Sequence, residues 1–226
     1  ILEKYLNKLN FKNKKNKISN FSRSLKAFLA LIASIILGFV YLSIPYFFDK
    51  TELRAQLKNQ LSQKSNFNFN FSENFKYSFF PSPSFTFENV NIIENDKELA
   101  NTKHLKIYLS IKNLYSLNSI KVNNILLKNS NFHFYNQDFN FFIKILKNDF
   151  SKFGIKIIDS NIFLKNLDEE VLFINKIKKM KYYYNKKNLQ STLYSENEIF
   201  NFPYFIELYN DEINKKIYSK LNLNML

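Results

Sequence analysis

The chain has 226 residues, enough for one sizeable domain and an appendage, and a formal net charge of +14. Lys, Asn, Ile and Phe dominate, a bias typical of an AT-rich genome, and Arg is nearly absent. Because Arg is the usual side chain for bidentate phosphate and guanine contacts, we interpret the charge as a solvated basic surface and predict no nucleic-acid partner. The absence of cysteine excludes disulfides and thiolate metal sites.

A stretch of 22 residues without a charge, Ala27 to Phe48, follows the N-terminal segment. As a helix it reaches roughly 33 Å, enough to cross a hydrocarbon core of about 30 Å. Aromatic residues gather at its far end, as in a membrane-interface belt (Tyr41, Tyr46, Phe47 and Phe48). The run is long for the apolar part of a cleaved signal peptide and no small-x-small site follows it, so we predict an uncleaved transmembrane signal anchor over 27–48.

The charges on the two sides of this stretch predict its orientation. Residues 1–26 carry eight basic side chains against the single Glu3 (Lys4, Lys8, Lys12, Lys14, Lys15, Lys17, Arg23 and Lys26). Beyond Phe48 the first charges nearly balance. The positive-inside rule therefore predicts a cytoplasmic segment 1–26, a single pass through the membrane, and an exported region from residue 49 onward.

Residues 49–65 have the pattern of a short amphipathic helix, with Asp49 or Thr51 as its cap. Three leucines recur at a spacing of four residues (Leu53, Leu57 and Leu61). This row would fit against a sheet or on the membrane surface, and the sequence leaves both open. A further helix is predicted near 138–150, where apolar residues follow a helical period.

From residue 66 onward alternating apolar and polar residues predict β-strands. The clearest stretch, Asn66 to Val90, puts an aromatic at nearly every second position, and we predict one strand that turns at Pro81 and Pro83 into its partner. Leu105–Ile111 and Ile217–Met225 alternate in the same way. Shorter alternating pieces fall at Ile120–Leu126, Phe132–Tyr135, Ile155–Leu164, Val171–Ile174, Ile177–Tyr184 and Phe202–Leu208.

Two pieces with an offset of 30 residues resemble one another, LLKNSNFHF (Leu126–Phe134) and KIIDSNIFL (Lys156–Leu164). Each has an apolar pair, then Asn or Asp, then Ser-Asn and a second alternating run. A Ser-Asn turn inside a repeated hairpin would predict an elongated sheet. Two ordinary, unrelated hairpins explain the similarity equally well.

The apolar faces of such strands need a cover. A sandwich or barrel supplies a second sheet, usually with Gly-rich turns, but Gly154 is the single glycine outside the apolar stretch. The other solution is a curled sheet whose inner face is covered by lipid acyl chains, because each buried Phe contributes roughly 1.5–3 kcal/mol. The sequence therefore favours a mainly β protein with an elongated, curled antiparallel sheet, that is, a β-groove.

No residue pattern points to chemistry, and we predict neither an enzyme, nor a metal site, nor a cofactor. The two histidines, His104 and His133, lie on the polar side of their strands without a second ligand nearby in sequence. The acidic groups Glu94–Glu98 and Asp168–Glu170 have the pattern of solvated turns. No Gly-rich phosphate loop, nucleophile elbow or HExxH motif is present.

The order of these features resembles the N-terminal region of the AsmA family of bacterial envelope proteins. The apolar stretch ends in an apolar-Pro pair, Ile44-Pro45, and a Phe-Pro-x-Pro element follows with Phe80, Pro81 and Pro83. An acidic-x-Val step at Glu88–Val90 comes next, and then the alternating strand through Ala100 and Leu105. The resemblance covers about Leu25 to Phe134 and fades beyond.

The resemblance implies a bridge-like lipid-transfer protein that is anchored in the bacterial inner membrane, with its β region in the periplasm. It would take part in phospholipid transport between the inner and outer membranes and in outer-membrane assembly. Its partners would be phospholipid acyl chains, the inner membrane and other envelope proteins. We expect the β region 66–226 to continue beyond the chain given. The expected groove lining is apolar (Phe67, Phe69, Phe71, Phe75, Tyr77, Phe79, Phe85, Phe87, Leu105, Ile107 and Leu109). The alternative is a signal-anchored structural or interaction domain with a closed core and no lipid cargo.

Overall fold

The computed structural model describes residues 22–65, 67–94, 96–135, 154–185, 187–211 and 216–223. The chain divides into two compact units, Ile1–Ser43 and Ile44–Leu226. The first unit contributes one apolar helix to the described residues, and the second contributes a short helix and all the strands. The fold is therefore mainly β, as the alternating pattern predicts.

Helix α1 spans Arg23–Ser43, and a single 3-10 turn, Ile44–Phe47, follows it. The α-helix ends before the predicted span does because Pro45 lacks an N–H donor and disfavours the helical conformation of the residue before it. Together the two segments form 25 residues that are long and apolar enough to cross a membrane. Ser34 and Ser43 donate their hydroxyl hydrogens to the carbonyls of Ala30 and Phe39 at 2.9 and 2.8 Å, so these polar groups are satisfied within the helix.

Helix α2, Lys50–Ser65, confirms the short helix predicted after the apolar stretch. Asp49 caps it, since one carboxylate oxygen accepts the N–H groups of Thr51 and Glu52 at 2.9 Å each. The leucines of the predicted row are at most 1% exposed (Leu53, Leu57 and Leu61). The helix packs on the β-sheet and on the 3-10 turn Leu117–Ser119, so this row faces protein and not the membrane surface.

Within the described residues, ten strands form one sheet. Their bounds are β1 Asn68–Asn70, β2 Phe75–Ser78, β3 Ser84–Glu94, β4 Lys97–Leu109, β5 Val122–Tyr135, β6 Gly154–Lys165, β7 Val171–Asn185, β8 Gln190–Ile199, β9 Phe202–Asp211 and β10 Lys216–Leu223. Strands β3 to β10 lie side by side in chain order, and β1 and β2 both pair with β3. The sheet is mixed and not wholly antiparallel, because β5 and β6 run parallel.

The aromatic stretch after α2 forms two short strands instead of the single strand predicted. Strand β1 pairs with the end of β3 and β2 with its beginning, so the two lie one after the other along the same edge. Phe71 leaves the pairing between them, and its ring stacks on Phe87 with the ring centres 4.5 Å apart. The alternation therefore predicted strand structure with one apolar face in this stretch, but not the interruption between β1 and β2.

The 30-residue similarity has a different meaning from the one predicted. The two pieces are not hairpins with Ser-Asn turns; they are β5 and β6 themselves, paired in parallel with Asn131 opposite Asn161. The backbone N–H of Gly154 donates to the Asn124 side-chain oxygen at 3.1 Å at the start of this pairing. The helix predicted near 138–150 lies outside the described residues. Strand β8 was missed, because its polar composition hides the alternation.

Candidate functional site

The apolar side of the sheet, called the inner face here, is built from rows of residues that are paired across the strands. Residues paired in register point to the same side of a sheet. One row is Phe75, Phe87, Leu105, Leu127, Ile157, Met180, Ser195, Ile206 and Leu221. The next is Tyr77, Phe85, Ile107, Ile125, Ile155, Tyr182, Leu193, Leu208 and Ser219. An almost continuous apolar surface thus runs from β2 to β10.

Aromatic rings dominate the first strands of the inner face. Phe75 lies 4.9 Å from Phe87 and 5.5 Å from Phe85, measured between ring centres, and Tyr77 lies 4.9 Å from Phe85. Burial raises the pKa of Tyr77 to about 12, so its hydroxyl stays neutral at physiological pH. Most of the predicted groove residues therefore lie together on one face. Phe79 follows the end of β2, outside the strand pairing, and is 38% exposed.

Five neighbouring strands bend at the same level. In β3, β5 and β6 the backbone adopts positive φ at Asn89, Asn129 and Asp159 (53°, 53° and 50°), which Asn and Asp tolerate better than other side chains. Around this level buried residues are three positions apart instead of two (Phe87 and Val90; Thr102 and Leu105; Leu127 and Ser130; Ile157 and Ser160; Ile177 and Met180). Local irregularities of this kind bend the strand that contains them. Because the irregularities of the five strands are aligned, the sheet curls along a line that crosses these strands.

Small hydroxyl side chains occupy the inner face along this bend. Thr102, Ser130 and Ser160 are at most 2% exposed. The Ser130 N–H donates to the Ser160 hydroxyl at 3.0 Å, and that hydroxyl donates to the Ile158 carbonyl at 2.8 Å. The hydroxyl oxygens of Thr102 and Ser130 have no hydrogen-bond partner within the described residues. A narrow strip of hydroxyl groups therefore crosses β4 to β6 on this largely apolar surface.

The inner face is buried at the first strands of the sheet and exposed at its last strand. In β3 and β4 it is closed: Phe85, Phe87, Leu105 and Ile107 are at most 1% exposed. Helix α2 contributes to this closure through its contacts with β1 and β5. On the other side, β10 is exposed along its whole length, and Leu221 and Leu223 are each 60% exposed. No described residue covers the inner face there.

The opposite, outer face is polar. Four asparagines stand in register across β3 to β6 (Asn91, Asn101, Asn131 and Asn161). Side-chain amides join the first pair at 2.7 Å and the last pair at 3.1 Å. Two lysines on β7 contact Glu198 at 2.9 Å each, and they lower the pKa of that carboxyl. This face is therefore largely suited to water, although Phe163 and Ile174 also lie on it, and the continuous apolar surface is that of the inner face.

A cleft of about 850 Å³ opens at one end of the strands of β4 to β7. Its apolar wall includes Leu109, Ile125 and Ile155, and its lining also contains Lys112, Lys156 and Lys181. No acidic residue is among its lining residues. The volume falls within the range of roughly 300–1,000 Å³ that is usual for sites binding organic molecules. No sequence pattern indicated this cleft, because five separate segments form it.

A protein-family model matches residues 21–143, which is more than half of the chain, and it describes the AsmA family. The chain belongs to the AsmA family. The match begins just before α1 and covers α2 and β1 to β5, so it includes the bent, aromatic part of the sheet. No individual curated protein matches the chain significantly. AsmA proteins are envelope proteins and generally non-enzymatic, and α1 is an apolar helix of the kind that forms a signal anchor.

The residues that carry the AsmA resemblance have structural roles in this chain. Pro45 is buried within the 3-10 turn after α1. The Pro83 carbonyl accepts the Leu109 N–H at 2.9 Å, so the Phe-Pro-x-Pro element is joined to the end of β4. Glu88–Val90 is the point where β3 bends, with Asn89 at positive φ. The motif therefore marks turns and a bend, and within the described residues no group of His, Cys, Asp and Glu could hold a metal ion.

Proposed function

We propose that this AsmA protein binds phospholipid by its acyl chains on the inner face of the sheet and takes part in lipid transport between the inner and outer membranes and in outer-membrane assembly. The observation that carries the proposal is the apolar surface that continues through β9 onto β10, where Leu221 and Leu223 are 60% exposed and no described residue covers them. Acyl chains are a suitable cover because contact with them requires no polar partner. Headgroups would stay in water, and no covalent step is involved.

The proposed topology has α1 in a bacterial inner membrane, the basic N-terminal segment in the cytoplasm and the sheet in the periplasm. Lysines that precede an apolar helix favour this orientation and also attract anionic headgroups. The family supports an envelope location. A topology reporter fused after residue 223 should be active only in the periplasm, and activity in the cytoplasm would reverse the orientation.

Photo-crosslinking in cells tests the lipid-binding proposal directly. Leu221 and Lys220 are neighbours on β10, but they point to opposite faces of the strand because successive side chains alternate. A photoreactive amino acid at Leu221 should give phospholipid adducts, whereas the same amino acid at Lys220 should give few. Equal labelling at the two positions, or no phospholipid after purification of the full chain, would contradict the proposal.

A second candidate function is a structural domain that binds an envelope protein and carries no lipid. The observation in its favour is the complete burial of Phe87 and Leu105, which a wide open groove would leave accessible. In this case a strand of another protein would pair with the edge of β10 that no described strand occupies, and it would cover the apolar side chains there. The Leu221 crosslinks would then lead to protein alone.

A further inference from the structure

Large apolar side chains are exposed on two turns at one end of the sheet, where β4 ends and β5 begins. Phe80 is 79% exposed on the turn 79–83, and Ile111 and Tyr115 are 55% and 62% exposed on the turn 110–121. Soluble surfaces expose single apolar residues, but an exposed group of them indicates a surface that another molecule covers.

The two turns form one surface, and we call them the docking turns. The Leu109 N–H, at the end of β4, donates to the Pro83 carbonyl at 2.9 Å, and this hydrogen bond joins the first turn to the second. Ser82 and Ile111, one from each turn, line the same cleft. The exposed apolar side chains therefore belong to neighbouring segments.

The docking turns contain no carboxylate. Residues 79–83 carry no charge, and residues 110–121 carry Lys112 and Lys121 alone. Asp211 lies at the same end of the sheet, but it ends β9, five strands away from β4. Aromatic and aliphatic side chains together with lysines suit the interface of an anionic bilayer, where apolar groups enter the acyl boundary and cations contact headgroups.

Helix α2 has its N-terminal end on the side of the docking turns. Gln60 is hydrogen-bonded to Val122 at the start of β5, and eight residues later Asn68 pairs with Ile93 near the opposite end of β3. Since β3 spans roughly 30 Å between these levels, α2 must run along the strands. Lys50 lies about 15 Å further along the helix axis from the β1 pairing than Gln60 does, so it points toward the end of the sheet with the docking turns.

The chain enters the second unit from the apolar helix α1. The 3-10 turn Ile44–Phe47 directly follows Ser43, and Tyr46 and Phe47 are 69% and 79% exposed. Because the chain is continuous, this turn lies at the bilayer surface when α1 spans the bilayer. Aromatic side chains are common at that level. The docking turns are thus on the side of the second unit on which the chain leaves the membrane.

We propose that the docking turns insert into the periplasmic surface of the bilayer that holds α1, with Phe80, Ile111 and Tyr115 at the boundary between headgroups and acyl chains. Lys112 and Lys121 contact anionic headgroups. The sheet is thereby held against the membrane at two places, the covalent anchor and the docking turns. This inference rests on the proposed topology and does not depend on lipid carried by the inner face.

The test uses the absence of tryptophan from the chain, because a single introduced Trp is then a unique fluorescent reporter. Full chains with Phe80→Trp or Tyr115→Trp are reconstituted in vesicles of phosphatidylethanolamine and phosphatidylglycerol, with or without bromine on the acyl chains. Phe200→Trp, at a 74% exposed position in the turn between β8 and β9 at the other end of the sheet, is the control. Side chains at the acyl boundary touch the bromines, so we expect about twofold quenching at positions 80 and 115 and none at position 200.

A pair of variants tests whether the apolar side chains cause the insertion. On the Tyr115→Trp background, the combined Phe80→Ser and Ile111→Ser variant should abolish the quenching and shift the emission to the longer wavelength of water-exposed Trp. The matched control, Phe200→Ser with Phe202→Ser, removes two side chains that are 74% and 70% exposed and should leave the quenching unchanged. The Phe80→Trp result does not depend on these variants, so the proposal stays testable if the first of them fails to fold.

The outcomes distinguish this inference from the proposed function, for which Leu221→Trp reports lipid on the inner face. Emission at positions 80 and 115 that is unaffected by bromine overturns the docking turns, whether water or another protein segment covers them. Equal quenching at position 200, or quenching that survives the Phe80→Ser and Ile111→Ser variant, also overturns them. Quenching at position 221 alone leaves lipid binding intact, whereas quenching at positions 80 and 115 but not at position 221 supports the docking turns and contradicts lipid binding.

Discussion

Gln60 joins helix α2 to the sheet, and its removal should loosen that junction. Its side-chain NH₂ donates to the Ile120 carbonyl at 2.7 Å, and its side-chain oxygen accepts the Val122 N–H at 3.1 Å. Gln60→Ala leaves both backbone groups without a partner in a half-buried place. At about 1 kcal/mol for each group, the local opening free energy should fall by about 2 kcal/mol.

Since about 1.4 kcal/mol corresponds to a factor of ten, the Val122 amide should exchange its hydrogen roughly 30-fold faster. Hydrogen-exchange mass spectrometry of the full chain in detergent micelles measures this on peptides that cover residues 117–126. Gln63→Ala, at an exposed position of the same helix, is the control and should leave the rate unchanged. Exchange within twofold of wild type for Gln60→Ala would refute the role of this side chain.

Three further results are expected. Leu57→Ala should lower the free energy of unfolding by about 2–5 kcal/mol in a urea titration, whereas a value within about 0.5 kcal/mol, as expected for exposed Lys58→Ala, would show that α2 is not part of the core. Asn129→Gly should preserve stability because glycine accepts positive φ, whereas Asn129→Val should lower it by about 1–3 kcal/mol; equal effects in the same titration would argue against the bend. Burial, with a smaller contribution from the charge of Lys165, lowers the pKa of His133 below its ordinary value of 6.5, and the nearby Glu98 and Glu169 oppose this. Folding therefore favours the neutral imidazole ring of His133. The stabilisation of the folded state that results is complete above pH 6.5 and is lost as the pH falls below that value. An NMR titration that gives a pKa of His133 at or above 6.5 would contradict this.

The strands that the sequence predicted best are those with one strongly apolar face. The alternation around Leu105 and Ile107 predicted both the strand β4 and its buried side, because a half-buried strand is a local pattern. Helix α2 was predicted from one row of leucines and a cap. Strand β8 was missed since its inner face contains Ser191, Ser195 and Asn197, which are buried although they are polar.

The cleft could not be read from any single segment. Its lining residues are far apart in sequence and lie together only because β4 to β7 lie side by side. Each lysine in the lining belongs to a chain with 33 basic residues, in which one more cation indicates nothing.

A three-residue pattern explains why the sequences of β5 and β6 are similar and why the neighbouring strand β4 shows no such similarity. In each of these strands Asn or Asp adopts positive φ at the bend, Ser occupies the inner face, and Asn joins the outer row (Asn129–Asn131 and Asp159–Asn161). Strand β3 has the same order in Asn89–Asn91, with Val90 on the inner face.

Strand β4 is antiparallel to β3 and β5, and it carries the pattern in reverse, with Asn101 in the outer row, Thr102 on the inner face and Lys103 at the bend. A comparison of segments in one direction therefore detects the parallel pair and overlooks the antiparallel strand between β3 and β5. The residues are similar because each strand crosses the same bend. A search that reads every second strand backwards should find the same three-residue pattern in other curled sheets that are mainly antiparallel.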